Sequence, residues 1–204
     1  MKISDTNARA YAISATIASE LYSMTNEAHK VAIIAKNARA LAMRAGESVA
    51  GFRAITGFIE EISFFSAQRG DAIDKLATLV SKYSVENIRM LDALQRYNKT
   101  YHSGTKYAHS LKKRLSKIED SSEIIQRQFR RSIRRLKMEV EEIGGQLRGM
   151  QLMVTSSRVE ASGAGEFRSG LDSVADQLNS AYKTMYKHIS SSRTLLQQIQ
   201  VETL

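Results

Sequence analysis

Apolar and small residues recur at intervals of seven along nearly the whole chain, and no proline interrupts them. One row is Ile17, Met24, Val31, Ala38 and Ala45; a second is Leu21, Ala28, Ala35 and Ala42. Two such rows, offset by three or four positions, form a stripe along one face of an α-helix and predict knobs-into-holes packing. Proline would delete a backbone donor and clash with the preceding turn, so its absence leaves long helices unobstructed. Cysteine is also absent, which excludes a disulfide framework and thiolate metal sites.

The pattern predicts four helices, over 8–45, 49–102, 107–164 and 167–200. In the second the rows are Phe52, Ile59, Ser66, Ile73, Val80 and Asn87, with Ile55, Ile62, Arg69 and Leu76. Ser66, Arg69 and Gly70 interrupt that stripe and predict a bend or a polar layer. The third carries Phe129, Leu136, Ile143 and Met150, with Ile133, Val140, Leu147 and Val154. A break near 120, at Ser121 and Ser122, is an alternative to one continuous helix. The fourth carries Leu171, Leu178, Met185 and Ser192, with Val174, Ala181, His188 and Leu195.

Sharp punctuation separates the helices. Gly46 follows the last residue of the first row and is placed to adopt the left-handed conformation that ends a helix. The same signal returns 119 positions later at Gly165. Identical pairs surround the two sites: Arg39 and Arg158, Ala42 and Ala161, Ala45 and Ala164, Glu47 and Glu166, Gly51 and Gly170. The offset is a multiple of seven, so the heptad rows coincide as well. A tandem duplication follows, with a first hairpin over 1–103, a second over 104–204, and a turn at His102–Thr105 between them. The predicted fold is all-α: one long antiparallel four-helix coiled-coil bundle made from two tandem hairpins of a single chain. Exchange of hairpins between two chains is the alternative. Gly46, Glu47, Gly51, Gly165, Glu166 and Gly170 form the predicted tips. Gly51 and Gly170 are expected to let paired backbones approach.

The tip residues resemble a known family. Asn37-Ala38, Arg44-Ala45-Gly46-Glu47 and Gly51-Phe52 are similar to the hairpin tip of the cytoplasmic signalling domain of methyl-accepting chemotaxis receptors. Val159-Glu160-Ala161, Ala164-Gly165-Glu166, Gly170-Leu171 and Val174-Ala175-Asp176 resemble it again. In that family two hairpins from two chains form a four-helix bundle, and the tip binds a coupling adaptor and a histidine kinase. The resemblance implies that this chain carries both hairpins of such a pair, a monomeric pseudo-dimer. It also implies that Ile33, Asn37, Arg44 and Ala54 lie on an adaptor-facing surface, with Glu160 as a further recognition residue. The family places a glutamate three residues before its tip arginine. Here the first repeat has Leu41 with Arg44, and the second has Glu160 with Gly163. Lys36 replaces a family leucine.

Other chemistries find little support. The four histidines, His29, His102, His109 and His188, have no metal-ligand spacing. No nucleophile, base and acid fall into a catalytic pattern, so a non-enzymatic protein without a cofactor is expected. The net charge is +9, which favours an acidic partner. Arg127, Arg130, Arg131, Arg134 and Arg135 share one broad helical face. A scaffold that recruits an acidic protein through this face is the alternative function. Sparse aromatic interleaving disfavours nucleic acid. No run of eighteen apolar residues exists to span a membrane. The start lacks the apolar core of a signal peptide, and a cytoplasmic location is expected.

Overall fold

The structure, a computed structural model, describes residues 3–103 and 108–203, apart from the side chains at 3–8, 10–11, 47–48, 108–109 and 200–203. Four long helices account for most of it: α1 (Ile3–Ala45), α2 (Ala50–Tyr101), α3 (Lys112–Ser162) and α4 (Arg168–Thr203). Short 3-10 turns at Gly46–Val49, Ala108–Leu111 and Gly165–Phe167 precede α2, α3 and α4. The fold is an all-α, antiparallel four-helix bundle.

The heptad rows are what it buries. Ile17, Met24, Val31 and Ala38 of α1 are fully enclosed, as are Leu136, Ile143 and Met150 of α3. Phe52, Ile59, Ile73 and Val80 of α2 are fully enclosed too, and so are Leu171, Leu178 and Met185 of α4. Each such side chain contributes about 1.5–3 kcal/mol by leaving water. Two buried hydroxyls bond to their own helices, Ser63 Oγ donating to the Ile59 carbonyl at 2.8 Å and Ser157 Oγ to that of Met153 at 2.8 Å, whereas the Ser66 and Ser84 hydroxyls are buried without a partner among the described residues.

Two expectations need correction. His188 and Leu195 are only half-buried; the enclosed positions are Ile189 and Leu196, one residue further on. Beside Leu171, Leu178, Met185, Ser192 and Ile199 the second enclosed row is Ala175, Tyr182, Ile189 and Leu196, also at sevens, so heptad spacing holds and the stripe lies one residue further round the helix than expected. Arg69, on a predicted core row, is half-buried and ion-paired, while Thr56, Ser63, Ala77 and Ser84 form an additional buried row of small residues. At Ser66–Gly70 α2 is continuous and carries a polar layer, with Ser66 buried and Arg69 paired to Glu139 and Glu142, and α3 runs without the alternative break at Ser121 and Ser122.

The packing divides into two compact units. One comprises Ser19–Asp74 and Met138–Arg193, and holds both glycine reversals. The other comprises Met1–Ala18, Lys75–Lys137 and Thr194–Leu204. Its enclosed residues include Ile17, Val80, Phe129, Leu136 and Leu196. There α2 ends at Tyr101, where the His102 N–H donates to the Asn98 carbonyl at 3.0 Å. Gly104 and Thr105, the rest of the expected turn, lie outside the described residues.

Candidate protein-binding site at the hairpin reversals

Both reversals use a left-handed glycine, with φ of 72° at Gly46 and 55° at Gly165. A side chain at either position would be strained by its own carbonyl, by roughly 1–2 kcal/mol. At the second reversal the Gly163 N–H donates to the Glu160 carbonyl (3.2 Å) and the Ala164 N–H to that of Ala161 (3.1 Å). The Phe167 N–H then reaches the Ala164 carbonyl at 3.0 Å, which starts the next turn. These bonds satisfy groups that a helix end leaves open. Glu166 is exposed; the Glu47 side chain lies outside the described residues.

The glycines that follow give room to side chains of the other hairpin, beginning with Gly51 of α2. A methyl group there would lie 2.5 Å from the Glu160 carboxyl carbon, in α3. Gly170 does the same for α1: a methyl group would lie 2.9 Å from Cδ2 of Leu41. Leu41 and Glu160 are equivalent positions in the two repeats, and so are Gly51 and Gly170. Each hairpin therefore inserts the same residue position against the same glycine of the other hairpin.

The pairing extends down the unit. Arg69 of α2 donates to Glu139 of α3 at 2.8 Å and to Glu142 at 2.9 Å, and lies 5.0 Å from the Phe65 ring centroid. The repeat-equivalent pair is His188 of α4 with Glu20 of α1, Nδ1 to Oε2 at 2.6 Å. Arg39 pairs with Glu60 at 3.5 Å within the first hairpin, and Arg158 with Asp176 at 2.8 Å within the second.

Against this frame the predicted recognition residues separate. Ile33 is 61% exposed, and Asn37, Arg44 and Ala54 are exposed as well, on α1 and α2 of the reversal-bearing unit. Glu160 is half-buried against Gly51. Arg127, Arg130, Arg131, Arg134 and Arg135 are all exposed and belong to the other unit. Among the described residues, no group of three or more His, Asp or Glu is placed to hold a metal ion. Likewise, no described helix is long and apolar enough to cross a membrane.

One feature escaped the sequence reading. An open groove of about 490 Å³ lies between α1 and α2, with Ala32, Lys36, Ser63, Phe64 and Ala67 among its walls. In the second hairpin the positions equivalent to Ser63 and Ala67 are Tyr182 and Tyr186, with ring centroids 5.9 Å apart. Tyr182 donates its hydroxyl to Oε1 of Gln151, the equivalent of Ala32, at 3.0 Å. Burial pushes the Tyr182 phenol above its ordinary value of 10.0, and the neighbouring Tyr186 phenol adds to the shift. Comparing the repeats position by position, rather than searching for shared residues, would have exposed this difference.

No family model, no curated protein and no solved structure matches this chain.

Proposed function

We propose that this chain is a non-enzymatic signalling or adaptor protein that works by protein–protein binding at its hairpin reversals, as an intramolecular pseudo-dimer. The observation that carries the reading is the reciprocal seating of Leu41 on Gly170 and Glu160 on Gly51. That exchange uses one residue position from each repeat for cohesion. It leaves Ile33, Asn37, Arg44 and Ala54 outward. Their resemblance to the adaptor-facing surface of chemoreceptor tips makes a chemotaxis-type coupling adaptor or histidine kinase the partner class of choice. The chain would then present two tips from one polypeptide in the cytoplasm. In pull-downs with a purified adaptor of this type, wild type should be retained and Arg44→Glu and Asn37→Asp should lose most of the signal. Retention of both variants at the wild-type level would overturn the reading.

A second reading draws on Arg127, Arg130, Arg131, Arg134 and Arg135 of α3, all exposed. None pairs with a carboxylate among the described side chains; Arg127 Nε donates to the Glu123 backbone carbonyl at 3.4 Å. A scaffold that recruits an acidic protein through this face would lose its partner on charge reversal at Arg130, Arg131, Arg134 and Arg135. The tip variants would leave that binding intact.

A further inference from the structure

We propose that the groove between α1 and α2 is a docking site for a partner helix that presents two aromatic side chains four residues apart. The proposal does not depend on recognition at the tips.

The molecule contains its own comparison for this groove. At the equivalent place in the second hairpin, Tyr182 is only 8% exposed and Tyr186 covers it. The first hairpin has Ser63 and Ala67 at those positions, and Ala32 in place of Gln151. Two aromatic rings and the amide that anchors one of them are thus missing from the first hairpin, and all three of the small residues in their place line the groove. Its volume is within the range of pockets that enclose organic groups, about 300–1,000 Å³.

The rim departs in the opposite direction. Phe64 is 70% exposed beside the opening, where the second hairpin has the exposed residue Lys183. Phe64 thus adds apolar surface beside the positions that lack the buried Tyr182 and the exposed Tyr186. The combination of an emptied floor and an apolar rim fits an incoming ring.

Charge selects the kind of helix. Lys36 stands at the end of the groove nearer the reversal, and Asp71 stands at the far end. Glu60, at the same end as Lys36, is engaged by Arg39. The fitting partner therefore carries an acidic residue at one end, a basic residue at the other, and the aromatic pair between. Residues four apart share one face of a helix, which is the relation between Tyr182 and Tyr186 on α4. Anchoring of an amphipathic helix by a few large side chains is an established mode of groove recognition.

The chain has no tryptophan, so the emission of a peptide tryptophan reports binding directly. The probe is a helical peptide with Trp and Tyr four apart, Glu towards one end and Lys towards the other. It should bind the intact wild-type chain saturably with a blue shift. The S63Y/A67Y variant, which copies the second hairpin, should weaken binding at least tenfold. Phe64→Lys, a surface change that keeps the floor open, should weaken it several-fold and serves if the double variant does not fold. Arg44→Glu should leave peptide binding unchanged, which separates this site from the tip. Four results would overturn the proposal: no binding at millimolar peptide, equal binding to folded S63Y/A67Y, equal binding of a peptide with its aromatics two apart, or self-association of wild type through the groove that the double variant abolishes.

Discussion

The first hairpin, α1 and α2, lines its inner face with small residues at places where the second, α3 and α4, uses large ones. Ala28 and Ala35 correspond to Leu147 and Val154, and all four are buried. Ser63, Gly70 and Ala77 correspond to Tyr182, Ile189 and Leu196. One heptad plan thus supports two different packings. Where side chains are small, neighbouring helices can fit closely and leave an open surface between them. Where side chains are large, they fill that surface themselves. The exchange is partly reciprocal. Gly70 of α2 admits Thr25 of α1, whereas at the equivalent positions Gly144 is in α3 and Ile189 in α4. The glycine has changed helices between the repeats.

The strongest way to test that exchange is to copy one hairpin into the other. A side chain on Gly70 would collide with the hydroxyl, methyl and β-carbon of Thr25. Thr25 is further held by its own bond to the Leu21 carbonyl at 3.0 Å. Gly70→Ile should therefore destabilise by about 3 kcal/mol, the upper range for overpacking. Adding Thr25→Gly should recover part of that loss in denaturant unfolding, although a helical glycine itself costs ~1 kcal/mol. Additive losses would show that the two sites are not a compensating pair.

Next in size is Leu147→Ala, which gives the second hairpin the alanine of the first. Leu147 is fully enclosed, so a loss of roughly 2–4 kcal/mol is expected in the same measurement. A loss below ~1 kcal/mol would mean that the second hairpin does not rely on its larger side chains.

The cross-hairpin ion pairs give smaller effects. Arg69 engages two glutamates and one ring, and is 32% exposed; His188 engages one glutamate and is 22% exposed. Solvent screening discounts both. Arg69→Gln should destabilise by about 1 kcal/mol and His188→Gln by less. The reverse order in matched unfolding curves would contradict the network description.

The smallest effect has its pH dependence in alkaline solution. The Tyr182 phenol has a raised value in the folded chain, so the folded state keeps its proton longer than the unfolded state. Its contribution is complete below about pH 10 and is lost as pH rises through the folded value. Tyr182→Phe should therefore flatten the decline in stability above pH 10 while lowering stability modestly below it, through loss of the bond to Gln151. An unchanged alkaline slope would place the titration elsewhere.

Much of the architecture was legible from side-chain spacing. Helix type, the left-handed glycines and the main buried rows follow from periodicity and from the steric demand of a tight reversal. The row of Thr56, Ser63, Ala77 and Ser84 was not legible, because small and hydroxylated residues carry no apolar signal. Arg69 was legible as an interruption of the stripe but its partners were not, because the acids that meet it lie on another helix. The expected recognition residues could be located, and the structure separates the exposed Ile33, Asn37, Arg44 and Ala54 from the half-buried Glu160. The groove could not be located, since it is defined by atoms that are missing from one repeat.

What the sequence determined by itself is local and periodic. A proline-free chain with rows at sevens must form long helices, and glycines at matching places must turn them. What the tertiary structure alone decided is which residues meet. Leu41 against Gly170, Glu160 against Gly51, and Arg69 between two glutamates join positions far apart in the chain. Heptad phase specifies the face that a helix buries, but the partner across that face is set by how well particular side-chain shapes and charges fit together in space.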